Sequence, residues 1–342
     1  MRVDPVTTGS GAGANARERW SAKGGGVWGR RTAARRLPFI LVGIVALAAC
    51  EAPELDLPAP AADRIEDGAS IVPEDLLPRD GQPVERIAVG PGGEVVYGAL
   101  GSPGADGTDT RLVRWVWDGE RWAGPEDLHF TVPGDGEISV APDGSYLLFS
   151  SARETGQIGA GDRNLWLAQR EEDSELGSGP EGAGVWTDPW MVPVIHSPDR
   201  DGSPALAMTG RLFYASERDR DTSGGDLYVS TLDGGMWTSP QSLDRLNSPG
   251  NEADPWVAPD GSFLLFASDR GGQWDLYVAF SEDGGETWAD PDILQPPVVT
   301  DADERAPALS PAGEVIFFVR GDGELWWAHS REAGAQRPTP DA

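Results

Sequence analysis

A tight turn that recurs five times along the chain constrains the fold more than any other sequence feature. Each copy ends in a glycine, and successive glycines lie 51, 66, 51 and 52 residues apart. A period near 50 residues is typical of propellers and related repeat arrays. The five turns are Pro91-Gly92-Gly93, Pro142-Asp143-Gly144, Met208-Thr209-Gly210, Pro259-Asp260-Gly261 and Pro311-Ala312-Gly313.

Short apolar segments surround each turn and predict four strands per repeat. In the fourth repeat, Trp256-Val257-Ala258 precedes the turn and Phe263-Leu264-Leu265-Phe266 follows it. A third segment is Asp275-Leu276-Tyr277-Val278, and a fourth carries a tryptophan and then a proline, Trp288-Ala289-Asp290-Pro291. Because proline cannot donate to a strand ladder, we expect the fourth segment at the outer edge.

The fifth repeat has no fourth segment, but a matching one lies near the other end of the chain. Ile71-Val72-Pro73-Glu74-Asp75-Leu76 matches Ala123-Gly124-Pro125-Glu126-Asp127-Leu128 of the first repeat. We therefore predict that residues 69–78 supply the outer strand of the last blade. The expected fold is all-β, a single five-bladed propeller of four-stranded antiparallel blades over residues 69–330. A six-bladed ring is the alternative, and a β-sandwich would require the turns to recur by coincidence.

Residues 1–49 have the pattern of an N-terminal extension followed by a secretory signal. An arginine-rich segment precedes an apolar run over residues 37–49, which is too short to span a bilayer as a mature helix. The ending Leu47-Ala48-Ala49-Cys50 resembles the bacterial lipobox, which implies that Cys50 is lipidated and becomes the mature N-terminus. One hypothesis for the extension is that translation starts at Val27.

The segments that flank the expected propeller show no apolar periodicity. Residues 50–68 are rich in proline, alanine and acids and predict a disordered tether, and residues 331–342 predict a disordered tail. Glu51 after the lipobox implies the outer membrane of a Gram-negative cell. We therefore expect a lipid-anchored protein of the outer membrane or periplasm.

The charge of the chain argues against two kinds of partner. The chain has a formal net charge of −29, and the part after residue 49 retains 54 acids and 19 bases. Such an excess of acid opposes binding to nucleic acid and to anionic lipid surfaces. We expect a monomer that binds a protein or glycan partner.

The segment 251–270, together with Asp275-Leu276-Tyr277-Val278, resembles the TolB-type, WD-like propeller repeat. The resemblance covers roughly residues 69–330 and implies a propeller that binds protein partners or cell-wall components, without specifying the ligand. A second resemblance is that of residues 281–288 to the Asp box of sialidases and other propellers, with a weaker copy at 231–237. It implies that Asp283 accepts backbone hydrogen bonds in a hairpin turn, which is a stabilising role.

One acidic column recurs seven residues before the turn and precedes the expected innermost strand. Its members should ring one mouth of the central channel, where they could bind Ca²⁺, an organic cation or the Arg and Lys side chains of a partner. The competing interpretation is that each acid caps backbone donors where the chain enters the strand. The column consists of Asp135, Asp201, Glu252 and Glu304, and the nearby Asp254 and Asp303 would add to the negative potential.

Metal and catalytic signals are otherwise sparse. Asp219 and Asp221 resemble the start of a calcium-binding loop, but Ser230 stands where the closing Glu belongs. No catalytic residue is assigned, and no cofactor is expected other than Ca²⁺. The expected function is noncatalytic binding or scaffolding at the channel mouth. The alternative is a glycoside hydrolase or lyase that uses mouth carboxylates, marked by two acids in a cleft, one with a raised pKa.

Overall fold

The computed structural model describes residues 68–101, 109–153, 163–171, 184–219 and 225–335. Within these ranges the regular structure is entirely β, and no helix is long and apolar enough to cross a membrane. The strands are β1 Ala69–Ile71, β2 Val84–Val89, β3 Val95–Leu100, β4 Arg111–Trp117, β5 Trp122–Asp127, β6 Gly136–Val140, β7 Tyr146–Ser151, β8 Asn164–Gln169, β9 Trp190–Met191, β10 Asp201–Leu206, β11 Arg211–Ser216, β12 Asp226–Asp233, β13 Met236–Trp237, β14 Gln241–Ser242, β15 Glu252–Val257, β16 Phe263–Ser268, β17 Asp275–Phe280, β18 Asp292–Ile293, β19 Glu304–Leu309, β20 Val315–Arg320 and β21 Glu324–His329.

The strands form five antiparallel sheets that are the blades of a ring. Blade 1 is β2 to β5, blade 2 is β6 to β9, blade 3 is β10 to β14, blade 4 is β15 to β18, and blade 5 is β19 to β21 with β1. The innermost strands contact one another in the order β2, β6, β10, β15, β19 and back to β2. The prediction of a five-bladed propeller is confirmed, and the six-bladed alternative is wrong.

Blade 5 is completed by the first strand of the propeller. β1 pairs with β21, so that Ala69 lies opposite Ala328 and Ser70 opposite Trp327. Val72 N donates to Leu325 O at 2.8 Å, after which the chain leaves the sheet in a turn. The predicted closure by residues 69–78 is confirmed, although only residues 69–71 form the strand.

The fourth strands differ in position from the prediction. In blade 1 the strand includes Trp122 and the following proline, as expected. In blades 2, 3 and 4 the outermost strand lies after the proline and is only two residues long, and the tryptophan before the proline is not part of it. In blade 3, Trp237 pairs instead with Leu232 in a short hairpin. Proline has no backbone donor, and in these three blades the outer ladder does not continue through it.

Each innermost strand contains a β-bulge close to its first residue. Four bulges place a residue other than glycine at a positive φ of 51° to 53°. A bulge turns one additional side chain away from the regular alternation of the strand. The four residues are Glu137, Ser203, Asp254 and Ala306, and the first three lie in the wall of the central cavity described below.

The hydrophobic core lies within and between adjacent blades rather than at the centre of the ring. Leu264 and Phe266 of blade 4 pack in one cluster with Phe213 of blade 3. Packed structure continues beyond Ser330, because Ala333 and Ala335 are fully buried and Gln295 N donates to Ala333 O at 3.0 Å. Contacts of this kind hold the blades together and leave the axis to polar groups.

Candidate functional site

A cavity of about 630 Å³ lies on the axis at the end of the ring where the innermost strands begin. All five blades contribute to its wall, through Glu85, Glu137, Ser203, Asp254 and Arg305. Loops between the second and third strands, including Trp274 and Asp322, form its rim. The cavity therefore occupies the channel mouth where the sequence predicts a binding site.

The four acids of the predicted column are completely buried at the starts of the innermost strands. Each has 0% exposed surface, and each forms an ion pair with an arginine from the end of the second strand of its own blade. The pairs are Asp135 with Arg153, Asp201 with Arg218, Glu252 with Arg270, and Glu304 with Arg320.

Glu252 shows how fully these carboxylates are hydrogen-bonded. Its Oε1 accepts from Ser248 Oγ at 2.6 Å, Ser268 Oγ at 2.7 Å and Arg270 Nη2 at 3.1 Å. Its Oε2 accepts from Ser248 N at 3.0 Å. A buried carboxylate is tolerated only with such a set of donors, because burial of an unpaired charge is costly.

The backbone-capping bond is repeated in all four blades. The acid accepts from the backbone N–H of the residue three or four positions earlier, at distances between 2.6 and 3.3 Å. These are the hydrogen bonds expected for the capping role. The donors are Val132, Ser197, Ser248 and Thr300.

Two aromatic rings hold each of the four arginines. In blade 4 the Arg270 guanidinium lies 5.4 Å from the Phe266 ring centre and 4.7 Å from that of Tyr277. The equivalent ring pairs are Phe149 with Trp166, Tyr214 with Tyr228, and Phe318 with Trp326. Cation–π contact and packing therefore hold each guanidinium in the position from which it pairs with the acid.

Arg320 reaches its acid from a different strand position than the other three arginines do. In blades 3 and 4 the residue paired with the acid in the ladder is Ser216 or Ser268. In blade 5 Arg320 itself takes that place opposite Glu304, and its Nε donates directly to Oε1 at 3.0 Å. The same ion pair is therefore built without the serine.

The six predicted mouth residues are not brought together as a single open ring. Only Glu252 and Asp254 belong to the cavity wall, and both are buried. Asp303 is exposed, and its Oδ1 accepts from Trp274 N at 3.1 Å. Burial raises the pKa of Asp135 and that of Glu304. A ligand role for this set remains a prediction.

A second layer of charged groups, derived mainly from the bulges, forms the cavity floor. Glu137 accepts from Arg200 and from Ser203 N, the latter at 3.1 Å. Asp254 accepts from Ser203 Oγ at 2.9 Å and from Arg305 Nε at 3.1 Å. These bonds connect each of blades 2, 3, 4 and 5 to its neighbour around the axis.

Blade 1 joins the same layer through Glu85 and Arg86. Glu85 Oε2 accepts from Glu137 N at 3.3 Å, and its Oε1 lies 3.7 Å from Arg163 Nη1. Arg86 is 2% exposed, donates to Pro255 O at 2.6 Å, and places Nη1 3.8 Å from Asp254 Oδ1. The floor is therefore one charged network to which every blade contributes.

The two glutamates of the floor are shifted in opposite directions. Burial, with a contribution from the Glu137 carboxylate, raises the pKa of Glu85 to about 7. Burial acts on Glu137 in the same sense, but the guanidiniums of Arg200 and Arg163 outweigh it and hold the pKa of Glu137 below its ordinary value. Glu85 therefore exchanges a proton near neutral pH, whereas Glu137 stays ionised.

The predicted metal loop is described only in part. Asp219 accepts a hydrogen bond from the Tyr228 hydroxyl, and Asp221 lies outside the described residues, as does Cys50. Among the residues that the structure describes, no group of three or more His, Cys, Asp or Glu side chains is placed to hold a metal ion.

Sequence reasoning missed the arginines of the cavity. Arg200 directly precedes the column residue Asp201, and Arg305 directly follows the column residue Glu304. The other repeats have no basic residue at the corresponding position. The arginines that neutralise the column were visible, because an arginine follows the second strand in the same four repeats that carry the acid. Reading the two columns together would have predicted ion pairs instead of an open ring of carboxylates.

No protein-family model and no curated protein matches the chain. Several solved propeller structures are similar in fold. A putative TolB from Agrobacterium tumefaciens is 19% identical, with 71% of each chain covered and a TM-score of 0.46. TolB from Acinetobacter baumannii is 14% identical, with 74% of this chain and 55% of that chain covered and a TM-score of 0.46.

An endo-arabinase from Bacteroides thetaiotaomicron is also similar, at 12% identity and a TM-score of 0.45, with 72% of this chain and 93% of that chain covered. The neighbours thus include both TolB proteins and a glycosidase. Identities this low concern the fold and assign no ligand, partner or reaction to this chain.

Proposed function

We propose that the protein is a noncatalytic binding or scaffold module that holds a protein or cell-envelope ligand at the channel mouth. The observation that supports this most directly is the axial cavity, to which all five blades contribute charged or polar groups. A concave site with a few convergent polar groups is the usual form of a ligand site.

The wall of the cavity is built for rigidity, which suits a binding surface. Asp254 is held by groups from blades 3 and 5, and Glu137 by groups from blade 3. A site whose side chains are already fixed loses little conformational entropy when a ligand enters. The four acids of the column, which are capped by backbone N–H groups and paired with arginines, stabilise the backbone around the channel mouth.

Site-specific photo-crosslinking in cells tests this proposal. A photoreactive residue at Asp322 or Glu217, both exposed on the cavity wall, should form adducts with the ligand. The matched control is Asp260, which is exposed in a turn at the opposite end of the innermost strand. Ala253→Phe, which fills part of the cavity, should abolish the adducts. Adducts from Asp260 alone would overturn the proposal.

A second candidate function is that of a glycoside hydrolase or lyase, and one observation favours it. Glu85 and Glu137 lie together in the cavity wall with pKa values shifted apart, as an acid and base pair requires. Both Glu137 oxygens, however, already accept hydrogen bonds from blade 3. Release of reducing sugar from envelope polysaccharides, lost in Glu85→Gln, would support this candidate over the first.

For the N-terminal segment, the proposal is export followed by lipidation at Cys50 and anchoring in the outer membrane. Its support is the lipobox-like ending Leu47-Ala48-Ala49-Cys50 after a basic and apolar segment. Intact-mass measurement of the membrane-extracted protein should show a chain that starts at Cys50 and carries acyl groups. Cys50→Ser should remove both the added mass and the membrane association.

A further inference from the structure

We infer that the axial cavity binds the carboxylate group of a small polar ligand through Arg200 and Arg305. This inference rests on the proposed function, because it names the ligand chemistry of the same site. A carboxylate ligand also differs from the cation that the acidic column led us to expect.

The first support is the local balance of charge. Although the whole chain has a formal net charge of −29, the charged layer beneath the cavity contains four guanidiniums and three carboxylates, and two of these guanidiniums, Arg200 and Arg305, reach the cavity wall. Partial protonation of Glu85 near neutral pH shifts the balance further in the same direction. The floor groups are Arg86, Arg163, Arg200 and Arg305 with Glu85, Glu137 and Asp254.

The second support is that each carboxylate oxygen of Asp254 and Glu137 already accepts a hydrogen bond from the protein. Asp254 accepts from Ser203 Oγ through Oδ1 and from Arg305 Nε through Oδ2. Glu137 accepts from Arg200 through Oε1 and from Ser203 N through Oε2. A cation at these oxygens would lie next to the paired guanidiniums, whose positive charge would repel it.

The arginines, in contrast, retain unused donors. Arg305 donates to Asp254 through Nε alone, and Arg200 to Glu137 through one Nη alone, within the part of the chain that the structure describes. Their side chains are 42% and 47% exposed, and both residues line the cavity. A guanidinium has five N–H donors arranged in a fork that matches a carboxylate.

Both guanidiniums are also held in place before any ligand arrives. The Arg305 guanidinium lies 4.3 Å from the centre of the Trp274 ring, which supports one of its faces. Arg200 is anchored by Glu137, which is buried. Fixed donors bind a carboxylate with less loss of side-chain freedom than mobile ones.

The rim limits what kind of anion can enter. Glu217 and Asp322 are exposed acids of the cavity wall and would repel a ligand with several negative charges. A cavity of about 630 Å³ has the size of a small-molecule site. The favoured ligand therefore carries one carboxylate on a neutral polar body, such as an acidic sugar or a single acidic side chain of a peptide.

Calorimetric titration of the full chain tests the inference with two pairs of probes. D-glucuronate is compared with D-glucose, and the capped peptide Gly-Glu-Gly with capped Gly-Gln-Gly. We expect one or both carboxylates to bind while the neutral counterparts do not. Which acidic probe binds distinguishes a sugar from a peptide as the source of the carboxylate.

Variants then locate the binding. Arg305→Gln and Arg200→Gln, on different blades, should each weaken it at least tenfold, and Arg305→Lys should weaken it less than Arg305→Gln. The control is Arg245→Gln, whose side chain is 60% exposed in a surface pair with Asp290. Circular dichroism confirms that each variant is folded, so that loss of binding is not loss of structure.

Two results would overturn the inference: equal binding of the acidic and neutral probes, or acidic-probe binding that persists unchanged in both Gln variants. If a neutral or cationic ligand binds instead and Ala253→Phe blocks it, the carboxylate inference fails while the proposed function stands. If crosslinks arise only from Asp260, the proposed function fails as well.

Discussion

Val84 lies directly opposite Leu100 in the first two strands of blade 1. In blades 3, 4 and 5 the equivalent ladder position pairs a buried acid with Ser216, Ser268 or Arg320. Both Val84 and Leu100 are buried in an apolar cluster. Blade 1 thus has a hydrophobic contact where other blades have the ion pair, and neither charged residue of the pair is present there without the other. This agrees with the principle that a buried charge is tolerated only with its partner.

This dependence predicts a large cost for removal of one arginine. Arg270→Ala leaves the Glu252 carboxylate buried with only serine and backbone donors, so we expect a loss of about 3–5 kcal/mol in the free energy of unfolding. Urea unfolding measures it. Arg245→Ala, in an exposed pair with Asp290, is the control and should cost less than about 1 kcal/mol. Equal losses in the two variants would contradict the prediction, and adding Glu252→Gln to Arg270→Ala should restore part of the stability.

The closing strand can be tested by a designed disulfide. Because Val72 N donates to Leu325 O, the Val72–Leu325 pair is hydrogen-bonded, and three residues earlier Ala69 and Ala328 form a non-hydrogen-bonded pair. Cα atoms in such pairs lie about 4.5 Å apart, within disulfide range.

Ala69→Cys with Ala328→Cys, in a chain that also carries Cys50→Ser, should therefore crosslink on oxidation. Because the bond would close a very long loop, it should stabilise the propeller by up to about 5 kcal/mol. Thiol titration and melting with and without reductant measure both effects. The single variant Ala69→Cys serves as the control, and two thiols that stay reactive in the folded protein would refute this pairing.

Glu85 predicts a pH dependence of stability. Its pKa is raised to about 7 in the folded chain, so the folded state binds the proton more tightly than the unfolded state. The free energy of unfolding should therefore fall as pH rises from the ordinary carboxylate range to about 7, and then level off.

Glu85→Gln removes this titration while retaining an acceptor for Glu137 N. Between pH 5 and pH 8, the free energy of unfolding of the variant should rise relative to that of wild type by at least about 1 kcal/mol. Urea unfolding at several pH values is the measurement. Glu120→Gln, at an exposed turn position, should follow wild type throughout. Parallel curves for wild type and Glu85→Gln would show that Glu85 does not titrate in this way.

The turn over residues 281–288 predicts a specific role for Asp283. Its carboxylate accepts from Thr287 Oγ1 at 2.6 Å, Thr287 N at 2.8 Å and Glu286 N at 2.9 Å. These bonds, led by the one from the Thr287 hydroxyl, lower the pKa of Asp283. Its stabilisation should be present above the ordinary carboxylate pKa and lost as pH falls through the lowered value.

Asp283→Ala should accordingly lower the melting temperature at pH 7, and the difference from wild type should shrink in strong acid. The control is Asp233→Ala in the weaker copy of the turn, where backbone pairing of Leu232 with Trp237 holds the hairpin. An equal effect of the two substitutions would mean that the turn is held by its backbone and not by the carboxylate.

The sequence predicts the propeller well because its strands and turns repeat. Five glycine turns at a nearly constant period and the displaced match at Ile71-Val72-Pro73 were sufficient to predict both the blade number and the closure. The outer strands were less predictable, because two residues after a proline leave almost no pattern.

The site was harder to predict because it depends on departures from the repeat. The acidic column was visible, yet its burial follows from arginines that lie on the adjoining strand. The cavity floor depends on bulges, which turn Glu137 and Asp254 onto the axis and are not encoded by alternation of apolar residues. Arg200 and Arg305 occur once each, so no comparison between repeats reveals them.

The pairing of β1 with β21 also sets the order of events during biosynthesis. β1 is made before every blade, but its partner is made only after all of them, so the ring cannot close until residue 329 has emerged. Until then, β1 and the edge of blade 5 both have unpaired backbone groups, which can pair with other chains. Chains truncated before β21 should therefore leave both edges exposed and be cleaved faster by proteases than the full chain.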